Sequence, residues 1–205
     1  MIENSNNFLT SFQKFLKLLY KDFSYNIKCS KPLKDLIIRT GQTLKNNEWY
    51  ESEVMDLSTM TNDYIFINNF SAGKDFSTNI KTLKNYDLVY GSIRPYFKKA
   101  GFALDINYIA GSVYSFETIN KKDFYWVLAC ICSDAFHDFT NMNSQGTKMP
   151  IINWDAFCSY KCPYDDSIID TFNSLVEPLF KSCVVKMKQI RQLSKIKQKL
   201  LSKYF

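Results

Sequence analysis

The sequence has a single histidine, His137, and none of its six cysteines belongs to a Cys-x-x-Cys pair. Structural zinc sites usually combine such pairs with histidines at short spacing, so this composition predicts reduced, partly buried thiols and no metal centre. No stretch approaches the roughly 18 apolar residues that a membrane-spanning helix needs. The first residues also lack the basic start and apolar centre of a secretory signal. We therefore expect a cytoplasmic protein without a membrane partner.

Sequence patterns that carry nucleotide or DNA chemistry are also missing. The chain contains no Gly-x-Gly-x-x-Gly, no Gly-Lys-Ser/Thr, no Pro-Pro, and neither Asp-x-Lys nor Glu-x-Lys. These patterns mark phosphate-binding loops, adenine methyltransferases and common metal-dependent nucleases. His137 has no matched nucleophile for Ser-His or Cys-His catalysis. The sequence therefore predicts a binding protein with no cofactor and no catalytic residues, and a divergent nuclease is the enzymatic alternative.

Positive charge is concentrated at the C-terminus. The formal net charge is +6, from 26 basic and 20 acidic residues. Residues 178–205 hold eight of the basic residues and no acid, which leaves 18 basic against 20 acidic residues elsewhere. The excess positive charge therefore belongs to this segment. It suits an acidic face on a partner, a solvated helix face or DNA, and the sequence leaves these three uses open.

Apolar spacing predicts helices at both ends of the chain. Near the N-terminus a helical stripe is formed by Phe8, Phe12, Phe15, Leu16 and Leu19. A long helix is predicted from about Asp166 to Lys203, with a bend or a break at Pro178 because an interior proline removes a helical hydrogen bond. We divide the chain into an N-terminal helical segment (1–27), a globular domain (28–163) and a C-terminal helical region (164–205).

Short strands and one further helix are expected in the globular domain, which makes the fold class α+β. Apolar runs between polar turns predict strands at residues 33–38, 64–67, 86–90, 101–104 and 107–116, and extended chain at 150–157. A helix opening at Asn120 is predicted to bury Phe124, Val127, Leu128, Ile131, Ala135 and Phe139.

Several segments, in order, resemble a known family. Residues 32–37 (Pro-Leu-Lys-Asp-Leu-Ile) are similar to the opening strand of its recognition domains. Residues 86–96 (Tyr-Asp-Leu-Val-Tyr-Gly-Ser-Ile-Arg-Pro-Tyr) are similar to its central segment, although Tyr86 stands where the family often has glycine. Residues 146–155 (Gly-Thr-Lys-Met-Pro-Ile-Ile-Asn-Trp-Asp) resemble its closing turn and strand, and residues 190–193 resemble the end of its long helix. The family is the specificity (S) subunit of type I restriction–modification systems, and this chain looks like a half-size form with one target recognition domain.

The resemblance implies a division of labour. The recognition domain would read one part of a split DNA target, and the helices would act as a spacer and bind methyltransferase subunits. Methylation and cleavage would belong to partner chains, with a restriction subunit as a further possible partner. A half subunit would pair with a second copy through its C-terminal helix, and two-fold pairing favours a palindromic split target.

Candidate DNA contacts lie in the predicted loops. Arg94 can bind a guanine edge and Gln145 an adenine edge, whereas lysines suit phosphates. The complete set is Lys74, Ser92, Arg94, Tyr96, Lys98, Lys99, Ser144, Gln145, Thr147 and Lys148. As alternatives, Arg94 supports the fold and Lys98 and Lys99 are ordinary solvated residues.

The C-terminal helix is expected to pair with a partner helix along an apolar stripe. The stripe consists of Ile168, Phe172, Leu175, Leu179, Ile190, Leu193 and Leu200. A protein that uses such helices to assemble a complex without reading bases is the alternative function.

Overall fold

Helices from the two ends of the chain pack side by side and cover one side of the protein. The structure, a computed structural model, describes residues 2–45 and 47–204. The first helix, α1, spans Ile2–Tyr25, and the last, α5, spans Asp166–Tyr204. Asp165 caps α5, since its Oδ1 accepts from the amides of Ser167 at 3.0 Å and Ile168 at 3.1 Å. The cap explains why α5 begins directly after Asp165.

Short antiparallel strands make up the sheets between these helices. In chain order the strands are β1 (Ser30–Pro32), β2 (Ile37–Arg39), β3 (Glu53–Val54), β4 (Ser71–Ala72), β5 (Ile80–Thr82), β6 (Leu88–Gly91), β7 (Ala100–Phe102), β8 (Tyr108–Ala110), β9 (Val113–Thr118) and β10 (Lys161–Pro163). The main sheet has four strands in the order β2-β9-β6-β7, and the pairs β1-β10, β3-β4 and β5-β8 form small sheets. The pairing of β1 with β10 joins the two ends of the body next to the terminal helices.

The mixed helix and strand architecture expected from the sequence is confirmed, but several strand predictions were wrong in extent. Residues 33–38 divide into a 3-10 turn, Leu33–Asp35, and strand β2. Residues 64–67 form only an isolated bridge between Phe66 and Phe102. The run 107–116 is two strands, β8 and β9, separated by Gly111 and Ser112. Periodicity finds buried segments but does not locate turns inside them.

The helix predicted to open at Asn120 is three elements. A 3-10 turn, Lys121–Asp123, leads into α2 (Phe124–Ile131), and α3 (Asp134–Met142) follows. Ser133 separates α2 from α3, since its hydroxyl accepts from the Phe136 amide at 3.2 Å and so caps a new helix. The break shifts the helical phase, so Ala135 is exposed and Phe136 is buried, contrary to our prediction.

The segment 150–157 is not extended throughout, because α4 occupies Trp154–Cys158. Asn153 caps α4 by accepting from the Ala156 amide at 2.8 Å. The cap turns Phe157 into the main core, where its ring contacts those of Tyr90 and Phe116. This core joins α1, α2 and α5 to the four-stranded sheet.

Both terminal helices bury stripes that differ from the predicted ones. In α1 the fully or nearly fully buried apolar residues are Leu9, Phe12, Leu16 and Tyr20. Phe15, a predicted stripe member, is 36% exposed. In α5 the buried apolar residues are Ile169, Phe172, Val176, Phe180, Cys183, Val184, Met187 and Ile190. The helices therefore pack against each other and against α2 within one chain.

Helix α5 is continuous across Pro178, so the alternative of two consecutive helices was wrong. Among the residues described, no helix is both long and apolar enough to span a bilayer.

Candidate nucleic-acid interface

Two segments that are far apart in the sequence meet at one edge of the body. Ile93 and Ile151 form an antiparallel bridge. The Arg94 amide donates to the Pro150 carbonyl at 2.7 Å, and the Ile152 amide donates to the Ser92 carbonyl at 3.0 Å. The loop after β6 and the loop before α4, both expected to contact DNA, therefore form one surface. We call residues 93–99 and 145–151 the paired-loop surface.

The second loop is fixed at its base and open at its tip. Gln145 and Ile151 exchange two backbone hydrogen bonds of 2.9 Å each. Gly146 has φ +101°, a conformation that side chains with a Cβ rarely adopt. The side chains of Gln145, Thr147 and Lys148 are exposed. This arrangement presents two hydrogen-bonding side chains and a cation from a defined backbone.

The first loop is held in an uncommon backbone conformation. Arg94 and Lys98 have φ values of 52° and 53°, and a 3-10 turn, Pro95–Phe97, lies between them. Tyr96 and Phe97 project outward, 46% and 36% exposed. Left-handed backbone at non-glycine residues costs about 1–3 kcal/mol and concentrates at functional sites. The strain is consistent with a loop that presents aromatic rings to a ligand.

Arg94, a candidate base-contacting residue, is half-buried at the start of the first loop. Its Nε is buried and has no hydrogen-bond partner among the described residues. A buried donor without an acceptor costs about 1–3 kcal/mol, which an incoming acceptor would offset. The side chain lines an open cavity of about 390 Å³ together with Leu57, Ser58, Ile93, Phe97, Lys99 and Met149.

Lys98 and Lys99 are engaged within the protein. Lys98 Nζ lies 2.6 Å from Asp134 Oδ1, and this hydrogen bond raises the pKa of Lys98. Lys99 Nζ donates to the Leu57 carbonyl, and burial lowers the pKa of this lysine. Both lysines therefore brace the first loop against neighbouring elements, which neither of our sequence interpretations anticipated.

Three further candidate DNA contacts, Ser92, Ser144 and Lys74, are not among the exposed side chains of the paired loops. Ser92 is buried and its hydroxyl donates to the Ser112 carbonyl at 2.7 Å, so this hydroxyl already has a partner inside the protein. The Ser144 hydroxyl, just after the end of α3, donates to the Thr140 carbonyl at 2.7 Å. Lys74 is exposed in a separate 3-10 turn, Gly73–Asp75, next to β4.

The sequence analysis missed the turn at residues 56–59, which forms a wall of the cavity. Asp56 Oδ1 accepts from the amides of Ser58 at 2.7 Å and Thr59 at 3.0 Å. This Asx turn places Leu57 and Ser58 beside Arg94. The sequence Asp-Leu-Ser-Thr was a usable signal for the turn, but nothing in the sequence placed it beside Arg94.

The single histidine of the chain belongs to a buried hydrogen-bonded cluster with Tyr90 and Thr140. His137 is buried, and its Nδ1 lies 3.1 Å from the Tyr90 hydroxyl, which also contacts Thr140 Oγ1 at 2.7 Å. Burial lowers the pKa of His137 to about 4, so the imidazole is neutral at physiological pH. Residues 2–45 and 47–204 contain no group of three or more potential metal ligands.

The predicted partner stripe of α5 is split between the protein's own core and its surface. Phe172 and Ile190 are buried in the core, so these two residues are not available to a partner helix. Leu175, Leu179 and Leu200 are 46%, 39% and 52% exposed. Ile168 and Leu193 are partly buried. Only part of the stripe is therefore open, and it includes Leu175 and Leu179 in the middle of the helix.

Arg191 attaches the second half of α5 to the body. Its Nη1 donates to the Asp105 carbonyl at 2.5 Å, its Nη2 pairs with Glu53, and its guanidinium lies 4.5 Å from the centre of the Phe70 ring. Residues beyond Arg191 contain exposed apolar side chains at Ile196, Leu200 and Leu201.

Comparison with solved structures gives a match over the whole chain. No protein-family model matches this sequence, and neither does any curated protein. The crystal structure of a type I restriction–modification system S subunit from M. genitalium matches with a TM-score of 0.56 and 13% sequence identity, over 100% of this chain. The chain has the S-subunit fold. It spans 57% of the length of that S subunit.

The S-subunit fold accounts for the order of elements that the sequence resemblance implied. It has mixed helices and strands, with a helix before the body and a long helix after it.

Proposed function

We propose that this chain is a non-catalytic DNA-recognition subunit of a type I restriction–modification complex. In this role it reads one part of a split DNA target and directs methyltransferase and restriction subunits, which carry the chemistry, to that site. The proposal joins two independent supports, which are the ordered motifs of the sequence and the S-subunit fold.

The paired-loop surface is the observation that carries the proposal. Two segments chosen as DNA contacts from sequence alone are hydrogen-bonded to each other through Arg94 and Pro150. The half-buried Arg94 supplies a guanidinium, and the exposed side chains of Gln145, Thr147 and Lys148 supply an amide, a hydroxyl and an ammonium group. These are the groups with which proteins contact base edges and phosphates in duplex DNA.

Individual roles follow from the geometry of each group. Arg94 and Gln145 are the proposed base-contacting residues, because both side chains can make bidentate hydrogen bonds. Lys148 and Thr147 at the loop tip are the proposed phosphate contacts. Lys98 and Lys99 act mainly by holding the first loop, and Tyr96 offers an exposed ring and hydroxyl beside Arg94.

Helix α5 is the proposed assembly element. Leu175 and Leu179 are exposed one turn apart, and Leu200 and Leu201 are exposed near the basic end. Exposed apolar residues on a helix favour contact with another helix. We propose that a second copy of the chain or a methyltransferase subunit covers them, which would set the distance between two half-targets.

Selection from a random duplex library tests the recognition role. The full chain, together with its methyltransferase, should enrich a split motif. Gln145→Ala and Arg94→Lys should each relax the preference at one position, at a cost of about 1–3 kcal/mol for the correct base. Lys21→Gln, an exposed substitution on α1, is the matched control and should leave the motif unchanged. Recovery of the same motif from all variants would refute these assignments.

The alternative role is a helical assembly protein that does not read bases, and the exposed apolar residues of α5 favour it. Exchange of residues 145–150 for the loop of another S subunit separates the two roles. A changed DNA motif supports recognition. An intact complex with methyltransferase but no sequence preference, before and after the exchange, supports assembly alone.

A further inference from the structure

Arg39 lies over two aromatic rings at the edge of the main sheet. It ends β2, the outer strand, where it pairs with Phe116 of β9. Its guanidinium carbon lies 5.1 Å from the centre of the Tyr114 ring and 5.2 Å from that of Trp154. Ring contacts of this kind restrict the long side chain while leaving its N–H groups available at the ring edges. Arg39 is thus ordered before any ligand arrives.

No acid neutralises Arg39 within the described chain. Among residues 2–45 and 47–204, Arg39 takes part in no ion pair, and its side chain forms no hydrogen bond. Burial is the main cause of the lowered pKa of Lys81, and the nearby positive charge of Arg39 lowers that pKa further. Arg39 and Lys81 are neighbouring cations that form no ion pair among the described residues, and together they create a positive potential that favours an anion.

The surrounding cleft has the composition of an anion site. It has a volume of about 720 Å³, and its charged lining residues are Lys34, Arg39, Lys161 and Asp155. Cations therefore outnumber the single carboxylate by three to one among the residues that line the cleft. Trp154 and exposed Ile38 add apolar surface beside the charges. A planar guanidinium flanked by lysines matches the oxygens of a phosphodiester.

The register of the sheet places this cleft near the paired-loop surface. Arg39 pairs with Phe116, and Phe116 pairs with Leu88 of β6. Strands β2 and β6 are both antiparallel to β9, so they run in the same direction. The first paired loop, which follows β6, therefore lies at the same end of the sheet as Arg39, the last residue of β2. Two strand spacings separate Arg39 from Leu88 by roughly 10 Å, and the four residues from Leu88 to Ser92 add roughly 13 Å. Trp154 also lies only a few residues after the second paired loop.

From these observations we propose that the Arg39 cleft binds a phosphodiester of duplex DNA outside the bases read by the paired loops. The inference rests on the proposed function in one respect, which is that the ligand is DNA. The contact is sequence-independent, so it extends the footprint of the protein on the duplex and adds affinity without adding specificity. These two perpendicular components combine to roughly 16 Å, a spacing that suits phosphates a few base pairs away from the recognised bases.

Salt titration of binding to a duplex of about 30 base pairs without a target motif tests the cleft directly. The full chain is used, and affinity is measured by fluorescence anisotropy. Arg39→Gln should lower the magnitude of the slope of log K against log salt by about 0.9, and should weaken binding about three- to tenfold near 100 mM salt. Arg39→Lys retains the charge and should keep most of the slope. Lys21→Gln removes a charge elsewhere and should change the slope little.

A second variant covers the case in which Arg39→Gln disturbs Trp154 or the fold. Lys34 and Lys161 are exposed, so Lys34→Gln with Lys161→Gln removes cleft charge without removing the stacked side chain, and should lower the slope as well. Slopes for both cleft variants that equal the Lys21→Gln slope would overturn the proposal, as would failure of the wild-type chain to bind duplex at low salt. A library that yields no motif while the Arg39 slope effect persists would count against sequence recognition and leave this site standing.

Discussion

Acidification from about pH 8 to about pH 5 is expected to destabilise the protein through His137. The imidazole is only 2% exposed and packs against the Tyr90 ring, 5.8 Å between ring centres. Burial penalises the charged form most strongly, and the positive charge of Lys17 adds to this effect. The folded protein therefore keeps His137 neutral at pH values where the unfolded chain protonates it.

The magnitude follows from the difference between the two pKa values. The pKa of His137 is about 4 in the folded protein, against about 6.5 in an unfolded chain. Between these values the unfolded state binds more protons, so the free energy of unfolding falls as the pH falls. The loss from this residue is about 2 kcal/mol at about pH 5 and about 3 kcal/mol at about pH 4, and none is expected above about pH 7.5.

Urea denaturation across this pH range measures the effect. Buried carboxyl groups such as Asp87, whose pKa burial raises, change the free energy of unfolding with the opposite sign as the pH falls. The informative quantity is therefore the difference between the wild-type protein and His137→Gln, which cannot titrate at this position. The variant should lose about 2 kcal/mol less between about pH 8 and about pH 5. Parallel pH profiles for the two proteins would refute the argument that His137 is buried in the neutral form.

Other predictions concern packing, the Arg191 attachment and the thiols. Phe172→Ala should lower the free energy of unfolding by about 3–5 kcal/mol in urea denaturation, whereas Leu175→Ala, on the exposed side of α5, should change it by less than about 1 kcal/mol; equal effects would contradict the observed helix phase. Arg191→Ala should cost about 2–3 kcal/mol, through lost charge-assisted hydrogen bonds and ring contact, and should increase amide exchange in the second half of α5; unchanged exchange would show that Arg191 does not attach this part of the helix. Cys29 should be alkylated rapidly in the native protein, while the other five thiols, which are buried, react only on unfolding, as mass spectrometry would show; fast labelling of a second thiol would contradict the core.

Helix phase shows where sequence periodicity stops being informative. The spacing of Phe8, Phe12, Phe15 and Leu19 predicted a helix correctly, and Phe12 and Leu16 are buried, but the rest of the buried stripe of α1 consists of Leu9 and Tyr20. Both sets of residues have helical spacing, and the choice between them depends on which face meets α5 and α2. That choice is made by contacts with distant residues, such as the ring contact between Phe12 and Phe180.

The candidate interface divides in the same way. Residues 92–99 and 144–151 were selected from loop chemistry and from the family resemblance. Their engagement could not be predicted, because Asp134 holds Lys98 and the Leu57 carbonyl holds Lys99. The Arg39 cleft had no sequence signal, since its charged residues come from the turn Leu33–Asp35, β2, α4 and β10.

Local chemistry in the sequence by itself determined that both ends of the chain are helical, that the long helix begins at about Asp166, and that the positive charge lies at its far end. These properties depend on spacing, caps and composition, which act between residues close together in the chain. Only the tertiary structure decided which helix faces are buried, which lysines are already paired, and that two distant loops form one surface. Those outcomes depend on hydrogen bonds and packing between residues that are neighbours only after folding, such as Arg94 with Pro150 and Arg39 with Trp154.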